Sequence, residues 1–340
     1  EIMPSLVGSE MCIRDRTIVG AGADAVLSIS GNTFKLGSNT KIDNITLKSE
    51  TGTHIIACYN DVEITDSVKT TGTWNFYAGY NVFTRAEAAA ATATTYDTLA
   101  SASSSRNCYI AVNGGTWVGF AGGNRRTNGS CLLGSIAAPI DITINGGTFG
   151  RAVSFKQTSL NKNENAFSVS GMGILADDAT LTITGGTFRA PVYVVGRGGV
   201  GNSRMGGCSA LTMSDRRYYA MDGDITLNIT GGTFESFEIS AYQTGAGLTQ
   251  VLRGNFNVHI TDGATFAAGT VVDATQVKAY AGADQKATLV YPASMNITPK
   301  RFDMVNGAAQ TYDEPLRVAF IGDSITEGYF KYCLLYTSPS

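Results

Sequence analysis

The sequence predicts an all-β solenoid followed by the opening of an α/β domain. Three observations carry this. A short block, Ile-x-Gly-Gly-Thr-aromatic, recurs along most of the chain. The residues leading into each copy alternate apolar and polar. Near the end, the alternation gives way to one apolar run and a Gly-Asp-Ser turn.

The block stands at 144–149, 183–188 and 229–234, and with valine first at 112–117. A copy lacking one glycine stands at 29–34 (ISGNTF), and a looser one with an extra residue at 260–266 (ITDGATF). From Trp117 onward the closing aromatics are Trp117, Phe149, Phe188, Phe234 and Phe266, at intervals of 32, 39, 46 and 32 residues. Ile225, Leu227 and Ile229 alternate with Thr226 and Asn228, the period of a strand with one buried face. Gly231-Gly232 then turns the backbone where a Cβ would clash, and Phe234 refills the core. One unit cannot bury its own apolar face, so stacking on its neighbours stabilises it. Unequal intervals favour a solenoid with loops of different length on one side. They disfavour a propeller, whose blades need near-equal length. The pattern resembles the right-handed parallel β-helix proteins found among secreted bacterial polysaccharide-active enzymes and adhesins, over residues 17–291. Such a repeat specifies architecture rather than activity.

The chain has 340 residues, 43% hydrophobic and 16% charged, with 40 glycines, which suits one large or two ordinary domains of β structure. A net charge of −3 gives no electrostatic footprint for nucleic acid. No apolar run is long enough to span a bilayer. Residues 1–16 and 333–340 resemble translated sequencing-library adapter and are set aside from the fold. On that reading the natural start is missing, the gene is cut at or near Tyr332, and Cys12 and Cys333 are foreign. Cys58, Cys108, Cys131 and Cys208 remain, at spacings that match no zinc or redox pattern. Buried free thiols are expected, with a Cys108–Cys131 staple as the alternative.

In the opening coils, Gly20, Gly22 and Ala25 satisfy a G-x-G-x-x-A fingerprint. The residues that follow alternate like a strand, whereas dinucleotide binding needs a helix there. Gly196, Gly198 and Gly201 fail in the same way. His54 has no metal partners at ligand spacing. The aromatic cluster at 73–83 can offer Trp74, Tyr77 and Tyr80 as a sugar-stacking platform, or fill the core at alternate positions; core filling is favoured. Residues 85–106, rich in Ala, Thr and Ser, read as an inserted loop. The Gly-rich basic stretches after Trp117 and Val195, with Arg216, Arg217, Tyr218 and Tyr219, could hold an acidic polysaccharide or be ordinary solvated loops. Asp141, Asp177, Asp178, Asp224 and Asp262 are scattered, several just before a strand, where Asp is a turn residue. They make no lyase site. Residues 292–314 read as an aperiodic connection.

The chemistry is carried by 316–329, LRVAFIGDSITEGY. An apolar run, a sharp Gly322-Asp323 turn and a helix opening at Thr326-Glu327 would put Ser324 at a strand's carboxyl end and at a helix N-terminus, where free N–H groups stabilise an oxyanion. The segment resembles the first signature block of the SGNH/GDSL hydrolases, through Gly322-Asp323-Ser324-Ile325-Thr326. The resemblance implies that Ser324 is the nucleophile, that its N–H is an oxyanion donor, and that no metal or organic cofactor is needed. It covers residues 315–332 only. The family's other oxyanion donors and its Asp-x-x-His have no counterpart after Ser324, and both histidines, His54 and His259, precede it. A serine without a general base is a poor nucleophile. The expectation is therefore a truncated, secreted polysaccharide esterase whose present chain is inactive. The alternatives are a glycan-binding or adhesive solenoid and, less favoured, a β-helix lyase.

Overall fold

In a computed structural model, the described residues are 15–22, 24–31, 33–57, 60–78, 108–121, 139–150, 153–154, 178–189, 191–193, 220–221, 224–239, 251–252, 254–275 and 285–311. The chain divides into two units, Glu1–Gln310 and Thr311–Ser340. Only Thr311 of the second is described.

The first unit is a stack of coils built from parallel sheets. The long sheet runs Asp15–Val19, Asn39–Asp43, Val62–Ile64, Cys108–Val112, Ile140–Ile144, Ala179–Ile183, Ile225–Ile229, Phe256–Ile260 and Ala287–Val290. Met304–Val305 pairs parallel with the last of these, and Ala308–Ala309 turns back antiparallel. A second sheet takes the Thr-aromatic ends of the repeats: Thr116–Trp117, Thr148–Phe149, Thr187–Phe188, Gly232–Phe234 and Ala264–Phe266. In the opening coils its place is held by Val26–Ile29, Thr46–Ser49 and Lys69–Thr71, where Thr116 N–H donates to the Thr70 hydroxyl at 2.6 Å. The third sheet contains Thr33–Lys35, Thr53–Ile56, Trp74–Tyr77, Gly119–Ala121, Val153–Ser154 and Val192–Tyr193. The parallel β-solenoid expected from the repeat is the observed architecture.

Register converts the alternation into a core. Ile42, Ile64, Val112, Ile144, Ile183, Ile229 and Ile260 stand in one column, each no more than 3% exposed. A fully buried Ile or Val contributes about 1.5–3 kcal/mol, so the column is a large share of the driving force. Beside it the repeat aromatics form a ladder. Phe149 and Phe188 stack with centroids 4.9 Å apart, Phe188 and Phe234 at 4.7 Å, and Phe234 and Phe266 at 4.8 Å. Trp117 heads this ladder and donates its indole N–H to the Gly114 carbonyl.

The two glycines of the repeat do different work. Gly147, Gly186 and Gly232 have φ of 100°, 99° and 97°, a region that disfavours side chains. The first glycine of each pair is excluded by its neighbour coil instead. A Cβ on Gly231 would lie 2.1 Å from the Thr184 carbonyl oxygen, and one on Gly185 2.3 Å from that of Asn145.

Two expectations change. The copy at 29–34 is not equivalent to the others. Ile29 ends a second-sheet strand and Phe34 enters the third sheet, one corner later than Phe149 or Phe188. Its Gly31 has open space around it, so the resemblance was compositional. The looser 260–266 copy is equivalent, because Phe266 pairs with Phe234 and the turn absorbs the extra residue. The stretch expected to be aperiodic, 292–314, holds Thr298–Lys300, paired with Val271–Asp273, and the terminal hairpin. Strands of two or three residues leave no readable alternation. Gly20 and Gly22 lie in a turn that leads into the strand Val26–Ile29, with no helix to follow.

Cys108 shows how closed the interior is. It is 1% exposed, its Sγ lies 3.8 Å from the Asn60 carbonyl, and it is a free thiol. Burial first, then the Asp61 and Asp141 charges, push its pKa up to about 12. Cys58, Cys131 and Cys208 lie outside the described residues. Iodoacetamide at pH 8 should leave Cys108 unlabelled in the native protein and label it after denaturation, as read by peptide mass mapping. Native labelling at the rate of an exposed thiol would contradict the buried placement. Because the folded pKa lies above the unfolded value of about 8.5, the stabilisation from the neutral thiol is complete below that value. It is lost as pH rises from there toward 12.

Candidate functional site

The outer face of the long sheet is built by the polar positions of the strands. Two rows run across the coils. One contains Asn39, Tyr109, Asp141, Thr180 and Thr226; the other contains Thr17, Lys41, Glu63, Ala111, Thr143, Thr182, Asn228 and His259. Over the first five coils these rows border an open groove of about 520 Å³. Its floor dips at Ala111, the smallest member of its row, between Glu63 and Thr143. Tyr109 stands beside Ala111, 49% exposed, the aromatic residue of the groove lining.

Electrostatics of the groove are mixed. Lys41 Nζ donates to Glu63 Oε1 at 2.9 Å, and this bond raises the Lys41 pKa above its ordinary value. Both side chains are over two-fifths exposed, so the pair adds little stability. Below it, Asp43 accepts hydroxyl hydrogen bonds from Ser67 at 2.7 Å and Thr65 at 2.8 Å, and these hold its carboxyl below the usual range, Ser67 contributing most. Asp61 Oδ1 accepts the Tyr109 backbone N–H at 3.0 Å, which anchors the strand that carries Tyr109.

Of the acidic residues flagged in the sequence, Asp178, Asp224 and Asp262 have structural occupations, while Asp141 lines the groove. Asp178 Oδ1 accepts the N–H of Asp224 at 2.7 Å, and Asp224 Oδ1 that of Asn255 at 2.6 Å. Asn39 receives the N–H of Asp61 at the other end of the stack in the same manner. This is a column of Asx side chains at the entrance to the long sheet, each tying one coil to the next. Asp262 accepts from Ser294 at the following corner. Among the described residues no three His, Cys, Asp or Glu side chains come together as metal ligands.

Of the aromatic platform, Trp74 is fully buried, donating its N–H to the Thr71 carbonyl, and Tyr77 is 6% exposed. Trp74 fills the core at an inward position of the third-sheet strand Trp74–Tyr77, whereas Tyr77 is buried on the opposite face of that strand, beside His54. Tyr80 lies outside the described residues, as do Gly322, Asp323 and Ser324. His54 sits in the third sheet, its ring 5.5 Å from that of Tyr77. His259 lies exposed on the long sheet, with Nδ1 3.2 Å from Asn228 Oδ1. The groove residue missed in the sequence is Tyr109. The alternation of CYIAV alone places it outward, beside inward Cys108 and Ile110.

Comparison with protein-family models, with curated proteins and with solved structures gave no match. Among the described residues no helix is long and apolar enough to cross a membrane.

Proposed function

We propose that this chain belongs to a secreted ester hydrolase of the SGNH type, in which a β-solenoid engages an acylated polysaccharide and Ser324 attacks the ester. The observation that carries the reading is Gly322-Asp323-Ser324-Ile325-Thr326 directly after an apolar run. The solenoid supports the polysaccharide part, because it offers a long, polar, open face with an aromatic side chain. In the reaction, Ser324 Oγ bonds to the ester carbonyl carbon and passes its proton to a general base. The alcohol leaves, and water then releases the acid from the acyl-enzyme. By the resemblance the base would be the histidine of a later Asp-x-x-His block, which neither His54 nor His259 matches.

The test has two arms. The 340-residue chain alone should not hydrolyse p-nitrophenyl acetate in a Ser324-dependent way. The source DNA is then read past the codon for Tyr332 and the longer frame expressed. An Asp-x-x-His should follow, and ester hydrolysis by that protein should vanish in Ser324→Ala. A continuing frame with no later histidine, or hydrolysis that survives the substitution, would leave Ser324 without a role. A second reading, a glycan-binding surface module with no hydrolase, is favoured by the groove at Tyr109.

A further inference from the structure

We infer that the groove over the first coils of the long sheet is a binding site for an uncharged glycan chain, with Tyr109 as its stacking anchor. The inference rests on the polysaccharide reading above and adds a place and a substrate class to it.

Four observations converge. Tyr109 is half-exposed in a groove whose neighbouring outward positions, Lys41, Glu63, Ala111, Asp141 and Thr143, are small, polar or charged, and a sugar ring needs such a flat apolar face edged with hydrogen-bonding groups. Ala111, one place further along the same face, leaves a depression beside the ring where a longer side chain would fill it. From the Lys41 strand to the Thr143 strand is three coil steps, about 14 Å at ordinary strand spacing, which suits a short run of sugar units rather than one. Finally, the charges select against an acidic chain. Lys41 and Glu63 neutralise one another, which leaves Asp61 and Asp141 facing the groove; Arg16, the cation at its edge, belongs to the stretch that resembles adapter sequence. A polyuronate would meet two carboxylates on either side of the aromatic ring. A neutral chain would find acceptors for its hydroxyls. The basic stretches that suggested an acidic polysaccharide lie elsewhere in the sequence, outside the described residues.

The full 340-residue chain is titrated calorimetrically with cellohexaose, with xylohexaose and with a hexameric oligogalacturonate. At least one neutral hexamer should bind saturably, and the oligogalacturonate at least about tenfold more weakly. Tyr109→Ala should weaken neutral binding about tenfold or more, the cost of truncating a central aromatic anchor, while Tyr109→Phe retains it. Ala111→Phe, which fills the depression and leaves Tyr109 in place, should weaken binding as well, and far-ultraviolet circular dichroism reports whether each variant is folded. Ser324→Ala should bind like the parent, so a failure here is separable from a failure of the hydrolase reading. Absence of binding to both neutral hexamers, tighter binding of the acidic one, or neutral binding indifferent to both Tyr109→Ala and Ala111→Phe would each overturn the assignment.

Discussion

Replacing Phe188 with alanine should destabilise the solenoid by about 3–5 kcal/mol. The side chain is fully buried, and its ring stacks between Phe149 at 4.9 Å and Phe234 at 4.7 Å. The coils on either side are fixed by ladders of backbone hydrogen bonds, with Thr187 N–H on the Gly147 carbonyl and Glu235 N–H on that of Phe188. They cannot close in over the void, so the cavity cost adds to the lost transfer energy. Phe188→Leu keeps most of the apolar volume and loses both ring contacts, each worth about 0.5–1.5 kcal/mol. It should therefore fall well short of the alanine variant. Urea unfolding followed by circular dichroism measures both. A Phe188→Ala cost below about 1 kcal/mol would mean that the ladder is not a core element.

Gly231→Ala should be at least as damaging, about 3 kcal/mol or more, although it adds a single methyl group. The new carbon would sit 2.1 Å from a backbone oxygen of the preceding coil, and neither strand can retreat without giving up its pairing. Its neighbour provides the control. At Gly232 the added Cβ comes no nearer than 3.3 Å to the Gly185 and Gly186 oxygens, so the cost there is the left-handed backbone at φ 97°, about 1–2 kcal/mol. The order, Gly231 above Gly232, is the informative result. The reverse order would show that turn conformation, and not the closeness of successive coils, is why the repeat keeps two glycines.

Much of the fold was readable because the repeat encodes a spatial event at every turn. Ile at the strand's end, two glycines and an aromatic describe one corner of one coil, and the corner recurs at 112–117, 144–149, 183–188 and 229–234. The opening coils were harder to read. Their corners use Asn44 at φ 46°, or Asp66 and Ser67, in place of the glycine pair, so the column through Ile42 and Ile64 has no signature in the sequence. The false copy at 29–34 arose from the same weakness. Composition can match at a different corner, and only pairing shows which sheet a residue enters. The aromatic cluster at 73–83 illustrates the limit for binding sites. Core filling is the favoured reading of the cluster in the sequence, but alternation puts Trp74 and Tyr77 on opposite faces of one strand, and only the structure shows that Trp74 is on the inward one. A lone tyrosine carries no binding-site pattern, and the meaning of Tyr109 comes from Asp61, Asp141 and Lys41, which other coils bring to the same groove. The resemblance of Gly322-Asp323-Ser324-Ile325-Thr326 to a hydrolase block is legible for the opposite reason, since five consecutive residues carry it with no help from distant chain.

In-register partners along the long sheet are separated by 22 residues between Ile42 and Ile64, 48 between Ile64 and Val112, and 32, 39 and 46 between the next pairs, ending at Ile229. Pairing therefore joins only adjacent coils, however long the chain between them. Such a stack behaves as a one-dimensional array, in which each coil is held by its own stability and by two interfaces. A lesion in a middle coil therefore lowers local stability most in its own coil and the two beside it, on top of its cost to the whole array. Amide hydrogen exchange on Phe188→Ala would show this as faster exchange concentrated around coils 140–193 and 225–239, with the strands at 39–64 keeping their parent rates.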